Sequence, residues 1–195
     1  MTPDNGYIDF HSHHPSREGE TVIQDGVDTW GIHPWTLSVP STQPDERLTA
    51  IGECGLDRLC PTPYEDQLEA FHRCIAESER LQKPLFLHCV RAIDDCLRLH
   101  SELAVSQPWI WHGFRGKASQ LLQLLPHGFF FSFGFRFNEQ ALRACPADRL
   151  LLETDDDSRP VRLLYRQVAD LRGVTDEELC RQMQENRIRL FPHTF

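Results

Sequence analysis

The stretch YEDQLEAFHRCIAESERLQKPLFLHC, residues 64–89, carries two hydrophobic periods, and together they decide the fold. Over 64–82, apolar side chains recur at Leu68, Phe71, Ile75 and Leu81, close to one helical face, and acidic residues fill the first turn. Pro84 then opens PLFLHC, an apolar run without alternation, as expected of a strand covered on both faces. A second helical segment over about 92–104 follows, with Ile93, Cys96, Leu97 and Leu99 as its inner side. Helix, buried strand and helix in succession are a piece of a βαβ chain with parallel strands.

The same alternation extends in both directions. Toward the N-terminus, strands are expected at 7–11 (YIDFH), 28–32 (DTWGI) and 49–53 (TAIGE), with a short strand-like piece at Val22-Ile23 and a short helix running to Leu48. Toward the C-terminus, strands at 108–112, 129–135 and 149–154 alternate with helices at 117–125, 138–144, 161–171 and 175–190. Thr175 followed by Glu178 is a capping-box pattern for the last helix. About seven strands interleaved with helices predict the α/β class and a TIM-type (β/α) barrel. A length of 195 residues, against roughly 250 for such barrels, makes it shortened or distorted. No internal repeat or linker breaks the chain, so residues 1–195 are expected to form a single domain.

Hydrophobic residues at 40% and charged residues at 25% fit a globular protein with a core. A net charge of −9 excludes a broad basic face for non-specific duplex binding, but not a nucleic acid held through bound cations. The seven cysteines contain no C-x-x-C pair and read as small buried hydrophobes in a reducing compartment. No leader pattern and no apolar run near the roughly 20 residues of a membrane span is visible, so a cytoplasmic protein without membrane contact is expected. No protein partner is inferred.

Chemistry collects at the strand ends. Strand 7–11 ends in His11-Ser12-His13, strand 49–53 in Glu53, strand 84–89 carries His88, strand 108–112 ends in His112, and Asp155 directly follows strand 149–154. In a parallel barrel these ends converge on one face. Four imidazoles and two carboxylates gathered there are more polar groups than a core accepts unpaired, and a divalent cation resolves the conflict. His11 and His13 are two apart and face the same side of an extended strand. Nitrogen and oxygen donors without thiolate suit Zn²⁺, Mn²⁺, Ni²⁺ or Mg²⁺. Six donors exceed what one catalytic ion needs, which points to two ions with a bridging carboxylate. Any one of these histidines alone is more often a hydrogen-bonded structural residue, and Asp155 could simply begin a solvated acidic turn with Asp156 and Asp157. Five separate strand ends showing the same feature weigh against that reading.

The blocks around these residues resemble the TatD family of metal-dependent deoxyribonucleases, among the amidohydrolase-like barrels. Asp9-Phe10-His11-Ser12-His13 resembles the family's D-x-H-x-H, Gly31-Ile32-His33-Pro34 its G-x-H-P, and Ile51-Gly52-Glu53-Cys54-Gly55-Leu56-Asp57 its I-G-E-x-G-L-D. Leu87-His88-Cys89, His112-Gly113-Phe114, Leu152-Glu153-Thr154-Asp155 and the closing Glu185-Asn186 to Phe191 follow in the family's order. The resemblance implies that His11, His13 and Asp155 hold one metal, His88 and His112 the other, and that Glu53 bridges them. It implies that Asp155, with Glu53, is catalytic, Asp155 orienting the attacking water and accepting its proton. His33 and Asp57 would orient ligands or meet a phosphate, with a turn-stabilising hydrogen bond as the alternative. The chain departs from the family at Arg58, where a tyrosine is usual, at Asp156-Asp157-Ser158-Arg159, where a serine-proline turn is usual, and in the short span from Ser16 to Trp30.

The function expected is hydrolysis of phosphodiester bonds in DNA or short oligonucleotides, exonuclease-like, by a metal-activated water. Arg58, Arg91 and Arg115 lie near strand ends and are candidates to hold neighbouring phosphates, with exposed surface arginines as the alternative. Trp35 and Phe114 are candidates to stack on a base or to pack in the core. Two other readings stay open: a related hydrolase of a small phosphate, ester or amide, and a catalytically silent metal-binding relative.

Overall fold

Burial of the apolar runs against amphipathic helices organises the chain. In the computed structural model, which describes residues 6–192, the elements are β1 (Tyr7–Ser12), β2 (Glu20–Gln24), β3 (Thr29–Trp30), β4 (Ala50–Asp57), α1 (Tyr64–Leu81), β5 (Leu85–Val90), α2 (Ile93–Glu102), β6 (Trp109–Trp111), α3 (Ala118–Leu124), β7 (Phe130–Phe133), α4 (Glu139–Ala144), β8 (Leu150–Leu152), α5 (Val161–Arg172) and α6 (Asp176–Leu190). The helices fall within two residues of the boundaries expected from sequence, apart from the short helix ending at Leu48. That segment is irregular: it follows Pro44, and only a turn at residues 46–47 forms before Leu48. The piece at Val22-Ile23 is a full strand, β2, so eight strands rather than about seven stand among the described residues. Val22 and Ile23 are buried while the flanking polar residues are not, which is how a short strand hides in a polar stretch. Among the described residues no helix is long and apolar enough to cross a membrane.

The described residues fall into two compact units, one of residues 6–24 and 112–192, the other of residues 25–111. In the first, β1 pairs in parallel with β2, and β7 with β8. An isolated parallel bridge between Ser12 and Asp155 extends β1 toward the residues after β8. The core of this unit includes Ile8, Phe10, Phe131, Phe133, Leu150 to Leu152, Val161, Leu164, Tyr165 and Met183, all buried. Tyr165 on α5 both accepts from the Ile8 amide at 3.1 Å and donates to the Ile8 carbonyl at 2.8 Å, locking β1 to that helix. The capping box of α6 forms as expected: the Glu178 amide donates to Thr175 Oγ1 at 3.1 Å and the Thr175 amide to Glu178 Oε2 at 2.8 Å.

In the second unit β3, β4, β5 and β6 pair in that order, all parallel. Every residue of β4 is buried. The glycines of Ile51-Gly52-Glu53-Cys54-Gly55 follow from this crowding. A Cβ on Gly55 would stand 2.0 Å from the His88 carbonyl oxygen, and its φ of +145° suits glycine alone. Only a residue without a side chain lets β4 and β5 approach there, and that approach places Glu53 next to His88.

Candidate functional site

In the first unit the expected residues gather at the end of β1. The Asp155 amide donates to the His11 carbonyl at 3.0 Å, and the His13 amide donates to the Asp155 carbonyl at 2.9 Å. This clamp holds Asp155 at a φ of +58°, a conformation that most side chains avoid and that persists only where surroundings over-determine it. His11 is fully buried, and its ring centroid lies 4.8 Å from that of His112 and 5.5 Å from that of His13. His11, His112 and Asp155 each offer a ligand atom within 4.8 Å of the others. His13 Nε2 lies 3.5 Å from Asp155 Oδ1, and the His13 side chain is 44% exposed, so the two histidines of the pair differ sharply in burial.

Asp9, which composition and spacing alone left without a role, supports this group from beneath. Its carboxylate accepts from the Thr154 amide at 2.9 Å and from the Thr154 hydroxyl at 2.6 Å. Burial pushes its pKa up to about 7 against the pull of those two hydrogen bonds. The signal for both residues lay in the sequence, as the acid two positions before His11 and the threonine just before Asp155.

In the second unit Glu53 and His88 meet across β4 and β5. Glu53 Oε1 lies 2.8 Å from His88 Nδ1 and 3.3 Å from His33 Nε2. His33, Glu53 and His88 each offer a ligand atom within 4.8 Å of the others. His88 Nε2 lies 3.2 Å from Asp57 Oδ2. Asp57 is itself held, accepting from the Trp35 indole at 2.6 Å and the Leu59 amide at 2.7 Å. Burial acts to raise its pKa, but these donors and His88 outweigh it and keep the carboxyl below its ordinary range. A cavity of about 470 Å³ opens beside His33 and Glu53, bounded also by Asp25, Trp30, Thr42 and Arg47.

The basic and aromatic candidates divide. Arg58 lies 4.4 Å from the Tyr64 ring centroid and pairs with Asp95, so its guanidinium is engaged within its own unit. Arg91 is exposed at the end of β5, with a φ of +53°. Arg115 is exposed and borders a small cavity at Asp155 together with Arg136, which sequence reasoning passed over. Phe114 is buried against Phe131 and Phe133, so it packs in the core and is not available to stack on a base. Trp35 is 59% exposed and spends its indole N–H on Asp57. All seven cysteines are free thiols.

The donor sets fit a divalent cation. Each unit supplies imidazole nitrogen and carboxylate oxygen, without thiolate, from three side chains at mutual distances that a single ion spans. Within the first unit His112 comes close to His11 and Asp155, and within the second His33 comes close to Glu53 and His88.

Comparison with known proteins gives the arrangement a family. Residues 16–192 match the profile of TatD related DNases. The chain is 31% identical to a 3'-5' ssDNA/RNA exonuclease TatD of Pantoea vagans, with 92% of this chain and 83% of that protein covered. It is 30% identical to the uncharacterized metal-dependent hydrolase YabD of Bacillus subtilis, over 75% of this chain and 66% of that protein. It is 33% identical to the uncharacterized metal-dependent hydrolase YcfH of Escherichia coli K12, over 85% and 73%. The chain therefore spans about two thirds to four fifths of the length of these relatives. The crystal structure of YJJV, a TatD homolog from Escherichia coli K12, superposes with a TM-score of 0.72 at 20% identity, covering 91% of this chain and 78% of that one, and this likeness shows the fold. The chain belongs to the TatD related DNase family of metal-dependent, nuclease-type hydrolases, on a TIM-type α/β fold.

Proposed function

We propose that this protein hydrolyses phosphodiester bonds of nucleic acid, removing nucleotides from the end of a single strand, with one divalent ion at each of the two donor groups. The observation that carries this reading is the meeting of His11, His112 and Asp155 donor atoms within 4.8 Å of one another, on a backbone that fixes Asp155 by two hydrogen bonds. A relative named as a 3'-5' ssDNA/RNA exonuclease supports the substrate class. Mg²⁺, Mn²⁺, Zn²⁺ and Ni²⁺ all suit the donors.

When bound, the ions lower the pKa of water and neutralise charge that develops on the phosphate. The protein's own part is positional. Asp155 holds the attacking water in line and accepts its proton, its carboxylate kept in place by the clamp to His11 and His13. His11, His112 and His13 surround that carboxylate with imidazole. Glu53, drawn toward His88 and His33, is the carboxylate of the second donor group, and Asp57 orients His88 from behind. Arg115 and Arg91, exposed near strand ends, are placed to meet flanking phosphates. The free thiols fit a reducing compartment, the cytoplasm.

The test is degradation of labelled single-stranded DNA by protein loaded with Mg²⁺, Mn²⁺ or Zn²⁺. His11→Ala and Asp155→Asn are expected to abolish degradation while circular dichroism stays unchanged. Undiminished degradation by both variants removes the site assignment. A second reading, hydrolysis of a small phosphate or ester, is favoured by one observation: the Arg58 guanidinium is already taken up by Asp95 and Tyr64. Turnover of small chromogenic esters with no action on DNA would select it.

A further inference from the structure

Trp35 has no part in the reaction as proposed. It is 59% exposed, yet it is not loose. Its indole N–H donates to Asp57 Oδ2 at 2.6 Å, and its amide donates to His33 Nδ1 at 3.2 Å. The turn that carries it is closed by the Leu37 amide on the His33 carbonyl at 2.9 Å, and the Thr62 hydroxyl donates to the Pro34 carbonyl. The ring centroid lies 5.9 Å from that of His33 and 6.5 Å from that of His88, with the indole nearly perpendicular to both imidazoles. Leu59, also exposed, is tied by its amide to the other oxygen of the Asp57 carboxylate at 2.7 Å. Single exposed apolar side chains are ordinary on a protein surface. A large aromatic one, anchored by backbone and ring beside a donor group and left open to solvent, is not accounted for by packing.

We propose that Trp35 is a stacking platform for a base of the bound single strand, next to the second donor group. This rests on the reading of the protein as a hydrolase of nucleic acid strands, with His33, Glu53 and His88 as that group. Such a group draws the phosphate side of a nucleotide, and the base, one sugar away, needs an apolar face of its own. The charge balance favours the same contact. With a net charge of −9 the protein has little ionic attraction for a strand, and the Arg58 guanidinium is engaged by Asp95 and Tyr64. Stacking is the contribution to strand binding that needs no positive charge. Because the indole N–H is spent on Asp57, Trp35 has no donor left to read a base edge. It therefore distinguishes a nucleotide that carries a base from one that lacks it, and not one base from another. The ring is ordered before the strand arrives, so stacking costs little side-chain entropy.

The experiment measures binding, not turnover. The full chain, with Mg²⁺, is titrated against fluorescein-labelled single strands with phosphorothioate linkages, which resist cleavage: an oligothymidylate, and a strand of the same length built of abasic sugars. Wild type is expected to bind the base-bearing strand about 10–100-fold more tightly than the abasic one, Trp35→Ala to lose that preference and Trp35→Phe to keep most of it. The preference is expected to be the same at low and high salt, since no ion pair carries it. Undiminished preference in Trp35→Ala overturns the proposal. So does a Trp35→Phe that falls as far as Trp35→Ala, because it makes the residue a strut for Asp57 through its indole N–H. Should Trp35→Ala fail to fold, wild type decides: equal affinity for the two strands overturns the proposal, and the nuclease reading still stands if wild type degrades ordinary single-stranded DNA. A wild type that binds neither strand and degrades no DNA overturns the nuclease reading and this proposal with it.

Discussion

The two units bring together similar donor sets by different means. In residues 6–24 and 112–192 the backbone does the work: amide-to-carbonyl bonds at both faces of Asp155 pin it to His11 and His13, and the side chains are carried into place. In residues 25–111 the side chains hold one another: His88 has a carboxylate at each ring nitrogen, Glu53 at 2.8 Å and Asp57 at 3.2 Å. The first device tolerates a change of side chain without loss of shape. The second has geometry only as long as its partners are present, and it depends on Gly55 for the approach of β4 to β5. A donor group built on main-chain bonds can afford a reactive side chain, whereas one built on side-chain bonds is rigid at the cost of each member's freedom.

This contrast can be broken experimentally, beginning with the largest expected effect. Asp155→Asn should reduce turnover of single-stranded DNA by about 10²–10⁴-fold through loss of the proton acceptor. Its melting temperature should not move, because the clamp uses only backbone atoms and asparagine accepts a positive φ. A large drop in melting temperature would show that the carboxylate, not the backbone, holds the first group. Gly55→Ala should destabilise the second unit by about 3 kcal/mol, since the added Cβ stands 2.0 Å from the His88 carbonyl oxygen. Urea unfolding within 1 kcal/mol of wild type would deny the glycine that role. His88→Ala should remove one ion per chain and leave the other, as counted by elemental analysis after dialysis. Loss of both ions would show that the two groups do not bind independently.

The smallest effect concerns the surroundings of the second group. The Tyr64 hydroxyl, donating at 2.5 Å, and the guanidinium of Arg58 hold the Asp95 carboxyl below its ordinary range. A carboxyl depressed in the folded state adds stability above its unfolded pKa of about 3.9 and loses it as pH falls through the folded value. Asp95→Asn should therefore lower stability at neutral pH and flatten its decline below about pH 4. Parallel stability curves for the two proteins across acid pH would deny the pairing.

Helices were legible because each carries a long amphipathic period: α1, α5 and α6 lie within a residue of their expected bounds. Strand ends were less so. The expected strand at 28–32 is a two-residue pairing, Thr29–Trp30, since Gly31 and Ile32 leave the ladder, and β2 was concealed by its polar flanks. Phe114 followed a site histidine and read equally as a stacking residue or as core, and only its burial against Phe131 and Phe133 decided the matter. Asp9, Thr154 and Glu153 stood inside legible blocks, but nothing in their spacing told which of them would share a hydrogen bond.

The order of strands and helices, the α/β class and the set of candidate donor side chains were determined by the sequence itself, because hydrophobic period and residue chemistry are local properties. Which candidate donors come within reach of one another was decided by tertiary structure. His112 stands with His11 and Asp155, and His33 with Glu53 and His88, because strand register and the tight approach at Gly55 set distances between residues far apart in the chain. Periodicity says which way a side chain points along its own element. The partner it meets depends on how closely two backbones pack, and only the assembled fold contains that quantity.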